Sequence, residues 1–156
     1  SDDSSLAFCT AESLCKGFDI EDMALTFVKW MQEGYWGAHH KVFDIGGTTR
    51  YSLARVVKGE SARFSGNFFE EDNGNGSLMR ILPLVFHLHK ETDIEIIYKK
   101  VKEVSSISDN SSAEAKHFKE QTTKLYDFVS KADTMIDKVT EYKDNWLTKL
   151  IVKMMK

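Results

Sequence analysis

Proline is almost missing from this chain: Pro83 stands alone in 156 residues. Long stretches are therefore free to run as helix without a break. Cysteine is nearly as scarce, with only Cys9 and Cys15. No second pair exists to build a four-ligand zinc site. The two fall on different faces of a helix and read as buried free thiols of a reducing cytosol. No apolar run approaches the length of a membrane span. Strong β signals are also lacking: there is no Asn-Gly between alternating segments, and β-branched clusters are few. Charge of one sign is not in excess, since 21 basic residues face 24 acidic ones for a net charge of −3. That balance offers no electrostatic argument for nucleic acid or an anionic membrane as partner. No secretory signal is visible, and the chain begins at Ser1 rather than methionine, so an upstream segment is expected to be missing.

What is present is ordinary for a globular protein, with 42% hydrophobic and 29% charged residues. The length suits one domain with a real core. Helical periodicity dominates, so the expected fold class is all-α. Leu6, Cys9, Thr10, Ser13 and Leu14 trace one face of a helix over 4–16, and Gly17 ends it. Asp19 caps a helix over 20–33 whose face is Met23, Phe27, Trp30 and Met31, and Gly34 stops it. An irregular connection follows, from Tyr35 to Gly47. It holds His39 and His40, whose adjacent side chains point opposite ways and do not suit one ion.

Thr48 opens a helix over 48–57, closed by Gly59. Residues 60–75 read as loop, with Phe64, Phe68 and Phe69 as anchors against the body. A helix over 77–89 contains Pro83 and should kink there. His87 and His89 sit near its end, where an imidazolium suits the helix dipole and a surface role is expected. The next helix covers 93–104, with Ile96, Ile97 and Val101 inward. The expected core is Met23, Phe27, Trp30, Leu78, Ile81, Leu82 and Val85.

From Ser105 to Ser112 the sequence reads as a polar linker. Beyond it lie two long amphipathic helices. One carries Phe118, Leu125, Phe128, Val129 and Ala132. The other runs from Met135, Ile136, Val139 and Tyr142 through Trp146, Leu147, Leu150, Ile151 and Met154. Lysines 143, 149, 153 and 156 make this end basic, but the acidic residues mixed in favour a helix packed on the domain over one lying on a membrane.

The chain is organised around the segment from Asp72 through Asn73, Gly74, Asn75, Gly76, Ser77, Leu78, Met79 and Arg80 to the apolar run Ile81-Leu82-Pro83-Leu84. It starts as a turn and becomes an apolar helix. Gly74 and Gly76 allow positive φ and close approach of a ligand to the backbone. Such a turn feeding a helix aims free N–H groups at one point, which suits a phosphate. Taken alone, it equally describes a solvated turn capping a core helix. Asp2 and Asp3, with the hydroxyls of Ser1 and Ser4, are hard oxygen donors that suit Mg²⁺ and not a thiolate-loving metal. Taken alone, they describe a helix N-cap more readily than a metal site.

Three segments in order resemble the ADP-ribosylglycohydrolase family. Gly74-Asn75-Gly76-Ser77-Leu78-Met79-Arg80 resembles its central motif. Ser1-Asp2-Asp3-Ser4 is similar to its Ser/Thr-Asp-Asp-Thr metal motif. Phe43-Asp44-Ile45-Gly46-Gly47-Thr48-Thr49-Arg50 is similar to its Asp-Ile-Gly-x-Thr-Thr-Arg segment. The resemblance covers residues 1–107, with 108–156 as a divergent helical tail packed on that part. It implies an all-helical domain, two Mg²⁺ ions at its mouth, and hydrolysis of an ADP-ribosyl bond. It implies Ser1, Asp2 and Asp3 as metal ligands, with Asp2 and Asp3 catalytic. It implies that Asp72, Asn73, Gly74, Asn75, Gly76, Ser77 and Met79 contact ADP-ribose or an ADP-ribosylated substrate.

The sequence departs from the family's pattern in three places. The glycine-rich and acidic segment that precedes the first metal motif does not occur. Ser108-Asp109 stands where the family has Thr-His. No late Asp-x-Asp-Thr is found, so the metal site is expected to be incomplete and the domain truncated. Two readings stay open: a hydrolase or part of one, and an inactive remnant that binds ADP-ribose or serves as a helical interaction module.

Overall fold

In the computed structural model, residues 2–67, 76–108, 122–127, 131 and 145–155 are described. Among them the regular structure is helical, with no β-strand. The helices are α1 (Asp2–Leu14), α2 (Ile20–Glu33), α3 (Gly47–Val57), α4 (Gly76–Ile81), α5 (Leu84–His87), α6 (Ile94–Ser105) and α7 (Trp146–Met154). Two short 3₁₀ turns, Ala38–His40 and Ala62–Phe64, lie in the connections.

α1 is the hub, packing on α2, α4, α5 and α7. Its buried residues explain how one helix meets four others. Leu6, Cys9, Ala11 and Leu14 are joined by the small polar Ser5, Thr10 and Ser13, which let neighbouring backbones come close. The buried hydroxyls are satisfied: Thr10 Oγ1 donates to the Leu6 carbonyl at 3.0 Å, and Ser13 Oγ to Asp22 Oδ2 at 2.7 Å.

α2 forms for local reasons. Asp19 accepts from the Glu21 and Asp22 N–H groups, and Met23, Phe27 and Trp30 recur at helical spacing on the buried side. Gly34 ends it in a left-handed conformation, φ 67°. A Cβ there would lie 2.2 Å from the His40 carbonyl oxygen, so only glycine fits. α3 packs on α2 through Thr49, Ser52, Leu53 and Val56, and α6 packs on α4.

Pro83 divides the expected helix over 77–89 into α4 and α5, with a turn between them. The ring supplies no N–H to continue the ladder, so the break is sharper than a kink. Leu82 turns outward and is 53% exposed, which removes it from the expected core. Met23, Phe27, Trp30, Ile81 and Val85 are buried as expected, while the Leu78 side chain lies outside the described residues. Ile96 and Phe64 are exposed rather than inward or anchoring, whereas Ile97 and Val101 are buried. Phe68 and Phe69 lie outside the described residues.

The expected polar linker is corrected over its first four residues: Ser105, Ser106, Ile107 and Ser108 are buried. The carbonyls of Ser106, Ile107 and Ser108 are bonded from other parts of the chain. Ser65 Oγ donates to the Ile107 carbonyl at 2.8 Å, Gly66 N–H to the Ser106 carbonyl at 3.0 Å, and Ser52 Oγ to the Ser108 carbonyl at 3.2 Å. Serines can be interior when their partners come with them.

α7 starts afresh at Trp146, because Asn145 is extended and caps the Leu147 N–H. A single helix from Met135 through Met154 is therefore not formed. Trp146 and Leu147 face solvent, while Thr148, Ile151 and Met154 turn inward against α1 and α5. Cys9 is buried and Cys15 only half-buried, its thiol directed at the Leu150 carbonyl. Of the first expected tail helix, residues 122–127 are helical, with Leu125 buried; Phe118, Phe128, Val129 and Ala132 lie outside the described residues.

Candidate functional site

Asp2 and Asp3 form the first turn of the hub helix, and both are half-buried. Asp2 Oδ1 accepts the Asp3 N–H at 2.9 Å, a bond of the helix-start kind. One carboxylate is thus partly engaged in starting α1. The expected third ligand, Ser1, lies outside the described residues.

The connection after α2 lies along α1. Ser5 Oγ donates to the Trp36 carbonyl at 3.1 Å. Farther along, Glu12 receives the Tyr35 hydroxyl at 2.9 Å and the Trp36 indole N–H at 2.8 Å. Trp36 holds a positive φ of 55°, and His39 and His40 are also left-handed. This is unusual for side chains so large, and the Glu12 contacts hold the first of them in place. The indole also meets Phe8 and Trp146. Burial, then the Glu12 carboxylate, raises the Tyr35 phenol above its ordinary range. Cys9 is pushed up to about 12 by burial and then by Glu12, so it is an inert core thiol.

Of the central motif, Asp72, Asn73, Gly74 and Asn75 lie outside the described residues. Gly76 is the first residue of α4, Ser77 is buried, and Met79 lies on the same helix. α4 packs directly on α1, so the helix carrying Asp2 and Asp3 and the helix carrying the end of the glycine motif are neighbours. Gly46 precedes α3, which opens at Gly47, one residue before the expected Thr48; Thr49 is buried and Arg50 exposed.

Arg80 closes the motif and is 1% exposed. Its guanidinium lies over the Phe27 ring, 5.8 Å from the centroid, and its Nη2 donates to Ser108 Oγ. Sequence reasoning gave Arg80 no role and treated Ser108 only as a departure from a pattern. The signal available was a basic residue inside an otherwise apolar run.

The family model for ADP-ribosylglycohydrolases matches residues 1–117. The chain belongs to that family. Two curated relatives are similar to parts of it. The ADP-ribosylarginine hydrolase Tri1 of Pseudomonas putida (strain GB-1) is 34% identical over 91 residues, which is 56% of this chain and 24% of the relative. The ADP-ribosylarginine hydrolase Tri1 of Serratia proteamaculans (strain 568) is 36% identical over 84 residues, 53% of this chain and 23% of the relative. The matched stretch is thus about a quarter of the length of either relative. No solved structure gives a significant match.

Family membership directs attention to Mg²⁺, and the donor set can be tested against it. Asp2 and Asp3 are hard anionic donors on adjacent residues, which fits an ion that takes one or two carboxylates and keeps several waters. Among the described residues, no group of three or more His, Cys, Asp or Glu side chains could hold a metal ion. The fit is to one side of a metal pair. Also among the described residues, no helix is long and apolar enough to cross a membrane.

Proposed function

We propose that this ADP-ribosylglycohydrolase-family chain recognises ADP-ribose and has kept binding in preference to turnover. The observation that carries the reading is the family match over residues 1–117, which takes in all three motifs at once. In this reading Asp72, Asn73, Gly74, Asn75, Gly76, Ser77 and Met79 line the ligand. The backbone N–H groups of the glycine turn face the diphosphate, where their dipoles offset its charge. Ser1, Asp2 and Asp3 would hold Mg²⁺ at the ribose. Bound there, the ion would supply positive charge to orient the sugar hydroxyls and a water. Asp2 or Asp3 would serve as the carboxylate that takes a proton from water there. Loss of the leaving group puts oxocarbenium-like charge on the sugar, which the carboxylates offset.

Two metal ions must be held in fixed geometry for efficient hydrolysis. The sequence holds no late Asp-x-Asp-Thr to oppose Asp2 and Asp3. For these 156 residues by themselves, slow turnover or none is the expected outcome. Both similar proteins are named for ADP-ribosylarginine, so arginine-linked ADP-ribose is the first substrate to offer. A reducing cytoplasm suits the two free thiols.

The test is release of ADP-ribose from ADP-ribosylarginine in Mg²⁺. Release at or near background is expected, together with a small Mg²⁺-dependent thermal shift that disappears when Asp2 and Asp3 are both changed to Asn. Robust metal-dependent release, abolished by Asp2→Asn, would contradict this reading and make the chain a working hydrolase.

A further inference from the structure

A buried guanidinium is costly, and a methionine or leucine would fill the same space without that cost. Its presence in the core calls for a positional reason. Arg80 lies four residues after Gly76, which starts α4, and its Nη2 donates to Ser108 Oγ. Ser52 lies five residues after Gly47, which starts α3, and its Oγ donates to the Ser108 carbonyl at 3.2 Å. One residue just beyond the end of α6 is thus held by two helices, each about one turn from the glycine that opens it. Ser108 is itself fixed, since its N–H donates to the Ser105 carbonyl at 3.1 Å and it is almost fully buried. The two helices belong to different packing groups: α3 rests on α2, while α4 rests on α1 and α6.

We infer that Arg80, Ser108 and Ser52 form a positioning clamp that fixes the start of α3 against the start of α4, and with it the glycine segment that the ADP-ribose reading places at the ligand. The clamp does not touch ligand. It sets the spacing of the groups that do. The inference rests on the proposed ADP-ribose site for its functional consequence, but its structural content is independent of it. Hydroxyl and guanidinium provide direction, which a packed methyl does not. Loosening one link should therefore free the helix starts without unfolding the core.

The experiment uses Arg80→Met, Ser108→Ala, Ser108→Thr and Ser52→Ala in the full chain. Amide hydrogen exchange is read at Arg50 and Tyr51 in α3 and at position 80 and Ile81 in α4, alongside ADP-ribose titration and the melting temperature. Ser108→Ala should speed exchange at the start of α4, and Ser52→Ala at the start of α3, each by about tenfold or more, with α2 amides unchanged. Ser108→Thr, which keeps the hydroxyl, should restore the parent rates. Where the parent binds ADP-ribose, Arg80→Met and Ser108→Ala should each weaken it at least tenfold, and Ser108→Thr should bind within about threefold of the parent. Unchanged exchange at the α4 start in Ser108→Ala, or at the α3 start in Ser52→Ala, overturns the clamp, as does exchange raised equally throughout the chain. A parent that shows no heat with ADP-ribose fails the functional reading alone, because the exchange result still decides the clamp. Should Arg80→Met not fold, the serine variants carry the test.

Discussion

Ile81 and Leu82 are chain neighbours in opposite environments. Ile81 closes α4 and is buried against the hub, whereas Leu82 enters the turn before Pro83 and faces water. Ile81→Ala should cost about 2–5 kcal/mol, the range for deleting a buried aliphatic side chain. Leu82→Ala should stay within about 0.5 kcal/mol of the parent, as surface changes usually do. Chemical denaturation of both variants checks this pair, and equal midpoints would contradict the break at Pro83. Helical spacing alone assigns Leu82 to the core with Ile81. The local fact that overrides it is the missing N–H one residue later. Arg80 was harder to read, because nothing in its neighbours indicates that Ser108 and the Phe27 ring receive it.

α2 shows what an element reveals by itself. Its cap at Asp19, its apolar face and its stop at Gly34 are all local, and each is found where the sequence placed it. The start of the expected linker was not legible in the same way. Ser106 to Ser108 look solvated until Ser52, Ser65 and Gly66 arrive from elsewhere in the chain to bond their carbonyls. α7 was half-legible: its inward residues follow the helical pattern, but Asn145 begins a new helix instead of continuing an old one.

The joint between α5 and α7 also corrects the surface role expected for His87. The imidazole stacks on Phe18 at 6.1 Å, and the Lys100 ammonium lies over that same ring at 4.7 Å. His87 also bonds the Met154 backbone, which favours the charged form. Burial, then Lys100 and His89, outweigh that bond and hold the imidazole below its ordinary 6.5. A depressed folded value means that the folded chain binds fewer protons than the unfolded chain. The associated stability is full above the unfolded value and is lost as pH falls through the folded one. Melting temperature should therefore drop more steeply between pH 7 and about 5 in the parent than in His87→Gln. Matching slopes would show that His87 does not govern this joint.

At the scale of the whole molecule, α1 joins the parts. It carries Asp2 and Asp3 at its start and packs on α4, which carries the end of the glycine motif. The all-α class and the family were both legible, because helical periodicity and motif order survive without tertiary information. The spatial relation between motifs was not, since it depends on which helices pack together. The proposed reading of the whole is that the glycine segment next to the acidic start of α1 binds the diphosphate of ADP-ribose. The most direct measurement is a calorimetric titration of ADP-ribose into the parent chain and into Gly76→Val. Saturable binding by the parent, lost in a folded Gly76→Val, is the predicted result. No binding by a folded parent, or equal binding by both, would contradict the account.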